Sequence, residues 1–252
     1  MTIQYASDLH LEFTKNKRRL ATNPLQPKGN LLLLAGDIIP FVELEKHMDF
    51  FKFVSEHWVK TYWVPGNHEY YGFDVAKRQG SFIYDIKPNV HLVNNHAVVH
   101  GSTRFIFSTL WSKVSPANEW NLAQNVSDFW LIRDGRYKFT PSRFTQLHEE
   151  SVDFVFGEMA KPHEGKTVVV THHVPTLMNY PPQYLGSSIN QAFATELHDR
   201  IADHGPDAWI YGHHHAHVPE FTIGETRLLT NQLGYVEYGE HGFFEEGKIL
   251  AW

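Results

Sequence analysis

The chain has 252 residues, 42% of them hydrophobic, enough for one sizeable domain or two small ones with a proper core. It contains no cysteine, which excludes disulfides, zinc fingers, iron–sulfur clusters and a thiol nucleophile, and leaves any metal to N and O donors. With 22 Lys+Arg against 28 Asp+Glu, the net charge of −6 lacks the footprint of a protein that grips long nucleic acid. The N-terminus MTIQYASDLH enters strand-like alternation directly, with no signal sequence, and no apolar run approaches a membrane span. These features predict a cytoplasmic protein with no membrane partner.

Taken in chain order, the first apolar run is Ile3–His10, IQYASDLH, followed by the short basic run Lys15–Arg19, which is expected to be a solvated loop rather than a phosphate-binding patch. Leu31–Asp37, LLLLAGD, is a second run. Phe41, Leu44, Met48, Phe51, Val54 and Trp58 then recur at a helical period, predicting a helix over Phe41–Trp58. Tyr62–Glu69, YWVPGNHE, is the third run, and HLVNNHAVVH with STRFIFSTLW predicts an antiparallel pair turning at Gly101. The aromatic, irregular segment from Trp111 to Thr140 is expected to form a lid or rim over a site; its aromatics could stack on a base or pack the lid onto the core. Further helices are expected at Ser142–Lys161 and Ala192–His204, the second stopped by Gly205 and Pro206. Between them lies VVVTHH at Val168–His173, and after them AWIYGHHH at Ala208–His215. The C-terminal TRLLTNQLGYVEYG and GFFEEGKILAW read as another antiparallel pair.

Each of the five runs is short, apolar and bounded by Gly, Pro or Asn, which favours buried strands over helices. Strands alternating with helices predict an α/β fold with a mixed sheet, in a single domain spanning 1–252, with functional residues at the carboxyl ends of parallel strands. Asp8 and His10, Asp37, Asn67 and His68, His172 and His173, and His213 and His215 all fall at such ends. Carboxylate, amide and imidazole converging on one sheet edge suit manganese, iron or zinc, with nickel also compatible. If the backbone stays extended through YGHHHAHV, His213 and His215 point to the same side. Taken singly, each motif has an ordinary alternative: Asp8 and Asp37 as caps, Asn67 in a tight turn, Glu69 as a solvated or capping residue.

In order and spacing, DLH, GD, GNHE, THH and GHHH resemble the motifs of the calcineurin-like metallophosphoesterases, over nearly the whole chain and in a compact bacterial-type form. The resemblance implies a four-layer α/β/β/α sandwich with mixed sheets. It also implies two metal ions, one held by Asp8, His10 and His215, the other by Asn67, His172 and His213, with Asp37 bridging. Water activated by the ions would hydrolyse a phosphate mono- or diester of a small molecule such as a nucleotide, and His68 would bind the phosphoryl group or protonate the leaving oxygen. His172 is preferred to His173, which is assigned behind the site or at the surface; His214 and His217 are assigned as exposed or pocket-lining. Competing readings are a non-catalytic scaffold of the same fold, a metal-storage protein, a nuclease and a protein phosphatase. The last lacks support because GD continues as IIPF, without an arginine-bearing motif.

Overall fold

The computed structural model describes residues 1–252. The strands are β1 (Ile3–Ala6), β2 (Leu31–Ala35), β3 (Lys60–Val64), β4 (Phe82–Lys87), β5 (Val90–Asn94), β6 (His96–His100), β7 (Thr103–Ser108), β8 (Arg133–Asp134), β9 (Tyr137–Lys138), β10 (Lys166–Thr171), β11 (Ala208–Tyr211), β12 (Phe221–Ile223), β13 (Thr226–Thr230) and β14 (Ile249–Leu250). The α-helices are α1 (Thr14–Thr22), α2 (Met48–His57), α3 (Glu119–Asn125), α4 (Asp128–Leu131), α5 (Pro141–Met159) and α6 (His198–His204).

Two six-stranded mixed sheets face each other, in the orders β14-β1-β2-β3-β5-β4 and β12-β13-β11-β10-β7-β6. In each, four central strands are parallel and both edge strands are antiparallel. The central strands are buried on both faces, which is why they read as continuous apolar runs rather than as alternation. Their pleat still sorts the side chains. Leu31, Leu33, Val168 and Val170 enter the core between the sheets; Leu32 and Leu34 pack against α1 and α2, and Val169 against α5 and α6. The result is the expected four-layer sandwich.

The expected helix over 41–58 divides into a 3₁₀ segment, Phe41–His47, and α2, with Phe41, Phe51, Val54 and Trp58 buried as the periodicity required. α5 begins at Pro141, with Thr140 Oγ1 accepting the Arg143 N–H at 3.1 Å. The expected helix over 192–204 is confined to α6, from His198. Val174 and Ala194 form a parallel bridge, and the Glu196 carboxylate accepts the N–H groups of Leu177 and His198, so side-chain and bridge bonds replace the helical ones.

Three further expectations change. The basic run is helical rather than a loop: Asn16, buried within α1, donates to the carbonyls of Leu9 and Gly234, while Arg19 pairs with Glu246 and Lys15 with Glu237. Only β6 and β7 form the hairpin at Gly101; β5 belongs to the other sheet. The C-terminal segments do not pair with each other: β13 joins β11 and β12, whereas β14 crosses to β1.

Candidate metal centre

The carboxyl ends of β1, β2 and β3 in one sheet and β10 and β11 in the other meet at a single edge, where Asp8, His10, Asp37, Asn67, His172, His213 and His215 come together. Asp8, His10, Asp37 and His215 form one group, and Asp37, His172 and His213 a second, with candidate ligand atoms within 4.8 Å of one another in each. Asp37 belongs to both: its Oδ2 lies 3.7 Å from His10 Nε2 and 3.3 Å from His172 Nε2. Asn67 Oδ1 lies 3.2 Å from His172 Nε2, beside the second group.

The backbone reaches this convergence through left-handed conformations. Asp8, His10, Asp37, His213 and His215 have φ between 47° and 83°, sparsely populated for any residue with a Cβ but least so for Asp, Asn and His. The expected extended run through His213–His215 is therefore replaced by two tight bends, which send His213 to one group and His215 to the other. The glycines of GNH and GHH leave room for this crowding: a Cβ on Gly66 would overlap Asp37 Oδ1 and His172, and one on Gly212 would overlap Asp8 Oδ2.

Each of the four histidines has one ring nitrogen anchored away from the centre. His172 Nδ1–H donates to Ala35 O at 2.9 Å, His10 Nδ1–H to Glu12 at 3.0 Å, His215 Nδ1–H to Glu240 at 2.9 Å, and His213 Nε2–H to Ala192 O at 3.3 Å. The remaining nitrogens face inward, the arrangement by which proteins fix the tautomer and orientation of metal-binding imidazoles. Asn67 is oriented likewise, because its Nδ2 donates to Asp128 Oδ1 at 2.8 Å and turns Oδ1 toward His172.

The electrostatics call for positive charge. Asp8 and Asp37 are wholly buried, yet their neighbouring imidazoles hold both carboxyls below the usual range against the effect of burial. Burial opposes a cation on His172 and His215, but Asp37 pushes His172 up to about 9, and Asp8 and Glu240 push His215 up to about 10. No Lys or Arg pairs with either aspartate. Oxygen and imidazole donors around two buried anions are the chemistry that suits divalent cations.

His68 stands at the edge of this cluster. Its Nδ1–H donates to Glu12 Oε1 at 3.0 Å, its backbone N–H to Asp37 Oδ1 at 2.9 Å, and its Nε2 lies 3.2 Å from the Tyr235 hydroxyl. Burial disfavours its cation, but Asp37 and Glu12 raise the pKa overall. Glu12 is itself buried, and donation from His10 and His68 brings it down to about 2.

A cavity of about 370 Å³ opens above Asp37, Asn67 and His68. One wall is Asn125–Asp128, from the segment expected to form a lid. The aromatics of that segment do not line the cavity: Trp111, Phe129 and Phe139 pack in the core, while Trp120, Trp130 and Tyr137 face solvent. The opposite wall is the irregular stretch 180–193, with Tyr180, Tyr184 and Phe193, which carried no motif.

His173 is fully buried behind the site rather than superficial, its Nδ1–H donating to Thr109 O and its ring tilted against that of His213 with centroids 4.2 Å apart. His214 lines the cavity; its Nδ1 accepts from Ala216 N–H, and burial lowers its pKa to about 3. His217 is exposed and stacks on Phe243. Glu69 is wholly buried instead of solvated, its carboxylate accepting the N–H groups of Asp37, Ile38 and Gly66 and the Trp63 indole N–H. Burial and Asp37 push it up to about 8, against those donors. Asp128 and Glu240 carry no motif signal; Glu12 and Tyr235 lie in the family-like stretches SDLHLEF and NQLGY, which by themselves assign neither a role.

A family model for calcineurin-like phosphoesterases matches residues 1–217. The chain belongs to the calcineurin-like phosphoesterase family. An uncharacterized protein of Acanthamoeba polyphaga mimivirus is 32% identical to this phosphoesterase over 259 residues, covering 92% of this chain and 91% of the viral one. Among solved structures, the phosphopantetheinyl hydrolase of Mycobacterium tuberculosis superposes with a TM-score of 0.71 at 18% identity, covering 99% of this chain and 95% of that one. A dimetal phosphatase from Danio rerio superposes at 0.52 and 13% identity, covering 92% and 87%. At these identities the likeness is one of fold. The phosphoesterase family is one of dinuclear metal centres, and the Asp/His clusters supply donors that fit such a centre. No helix is long and apolar enough to cross a membrane.

Proposed function

We propose that the protein hydrolyses phosphate mono- or diesters of a small molecule by a dinuclear metal mechanism. Asp8, His10 and His215 would hold one ion, Asn67, His172 and His213 the other, and Asp37 lies where it could serve both. The observation that carries this reading is the outward anchoring of all four imidazoles around two buried carboxylates. Manganese, iron or zinc suits the donor set.

When bound, the pair of ions supplies Lewis acidity toward the phosphoryl oxygens and lowers the pKa of the attacking water. The chain's own residues orient and protonate. His68, its Nδ1–H held by Glu12, presents Nε2 to the cavity and protonates the leaving oxygen. Tyr235 steadies that nitrogen, and Asp128 holds the Asn67 amide. The cavity volume of about 370 Å³ suits a small ligand rather than a polymer, in keeping with the acidic chain. Residues 111–140 serve as its rim through Asn125–Asp128. A scaffold has no use for the buried His68–Glu12 pair beside the ligand groups.

The test is hydrolysis of p-nitrophenyl phosphate and its bis ester by the manganese-reconstituted protein. Activity is expected to vanish with chelation and return with metal, and His68→Ala is expected to keep its metal while losing about 10²–10⁴ in kcat on an alkyl ester, whose leaving oxygen needs the proton, and less on the p-nitrophenyl esters. Metal-loaded protein inert toward both esters contradicts the proposal.

A further inference from the structure

The cavity over the metal centre is one of two compartments. A second, open groove of about 920 Å³ runs outward along Pro181–Gln183, His217–Glu220 and Tyr238–Phe243. The two share Tyr180, Tyr184, His215 and Glu240, so they meet beside His215 of the metal centre. A phosphomonoester has one organic substituent and fills one compartment. A phosphodiester has two, which diverge from phosphorus.

The charge of the linings points the same way. The chain has 22 Lys and Arg residues, yet none lines either compartment. Besides Asp37 and the imidazoles of the centre, the charged groups that line the two compartments are carboxyls: Asp128 in the cavity, Glu220 in the groove, and Glu240 where the two meet. Metal ions at the centre would offset charge at phosphorus for either ester, but an arm carrying its own negative charge would meet the carboxylates of either compartment with no Lys or Arg to offset them. Apart from Glu220 and Glu240, the groove is faced by uncharged surface: Tyr238 is 75% exposed and Phe243 69%, with Pro181, Pro182 and Pro219 alongside. Such faces cover an uncharged aryl, alkyl or amide-bearing arm.

We infer that the substrate is a phosphodiester whose two alcohol-derived arms are lodged separately, one in the cavity over the centre and one in the open groove, neither arm carrying further negative charge. The inference rests on the phosphoesterase reading above. His68 lines the cavity and not the groove, which assigns the departing alcohol to the cavity. Water oxygen forms the new bond to phosphorus, one water proton staying with the new monoester and the other restoring His68 through solvent, and the bond from phosphorus to the cavity-side oxygen breaks. That oxygen keeps the electron pair and takes a proton from His68, giving an alcohol and a monoester that retains the groove-side arm.

The experiment compares substrates sharing one leaving group: p-nitrophenyl phosphate, phenyl p-nitrophenyl phosphate, and the latter with a para-carboxylate on the retained phenyl ring. Gly242 lies in the groove wall with open space where a Cβ would stand, so Gly242→Trp fills the groove without disturbing the fold. The metal-loaded protein is expected to favour the phenyl diester over the monoester by about tenfold or more in kcat/KM, and to lose about tenfold on the carboxylated analogue. Gly242→Trp is expected to raise KM for the phenyl diester by about tenfold and to leave the monoester within about twofold, the signature of lost subsite binding. Phe243→Ala is expected to act in the same direction. A monoester preference, with both variants affecting the two esters alike, overturns the two-arm assignment while the phosphoesterase reading stands. Turnover of none of them overturns both.

Discussion

Glu12 Oε1 accepts the Nδ1–H groups of His68 and of His10, each at 3.0 Å, so one buried carboxylate sets the tautomers of the proposed acid and of a proposed metal ligand. Glu12→Gln can keep a carbonyl oxygen for both rings, but it removes the negative charge that strengthens both bonds and puts an amide NH2 where Oε2 is buried without a partner, loosening the hold on both imidazoles. The expected cost is about 10–100-fold in activity or metal affinity. Measuring kcat with esters of good and poor leaving groups separates the two roles. A larger loss on the poor leaving group points to His68, and an equal loss with falling metal content points to His10. Unchanged kinetics and metal content would show that Glu12 positions neither.

Asp37 is expected to be the residue on which both ions depend, because its Oδ2 faces His10 and His172 together. Asp37→Asn should lower the metal content of the reconstituted protein at both sites, read as ions per chain by elemental analysis. Loss of a single ion with the other fully retained would contradict the bridge.

Glu69 ties the Asp37 loop to the GNH loop through its N–H acceptors. Glu69→Gln places an amide donor among those donors, with an expected loss of about 1–3 kcal/mol in urea denaturation. An unchanged midpoint would mean that the loops hold their shape without it.

His148 gives the fold a pH dependence away from the metal centre. Burial lowers its pKa, and its Nδ1–H donates to Leu110 O at 3.0 Å. The neutral ring is favoured when folded. Its contribution is complete above the unfolded pKa of about 6.5 and is lost below it at up to about 1.4 kcal/mol per pH unit. His148→Asn keeps a donor near Leu110 and removes the titration, so its stability between pH 7.5 and 5.5 should decline less steeply by about one proton's worth. Parallel curves for the two proteins would remove His148 as the source.

The layers and the site edge were legible because β2, β10 and β11 are buried on both faces and each ends in a polar motif. Apolar runs report burial, and the motifs report what the strand ends deliver. The walls of the cavity were not legible, since Tyr180, Tyr184 and Phe193 sit in a stretch whose conformation is set by the Val174–Ala194 bridge and the Glu196 carboxylate rather than by local periodicity. The aromatic segment from Trp111 drew notice by composition, but Phe129 and Phe139 proved to be core. Asp128, Tyr235 and Glu240 reach the site only through tertiary contacts, at separations of 61, 167 and 25 residues from Asn67, His68 and His215. The left-handed φ at His213 and His215 likewise answers to convergence with Asp8 and Asp37, not to the residues beside them.

The most direct measurement is anomalous diffraction at the manganese edge from crystals of the reconstituted protein. Two peaks about 3.5–4 Å apart, one on each side of Asp37, are expected. A single peak, or peaks away from Asp37, would contradict the dinuclear centre on which the account stands.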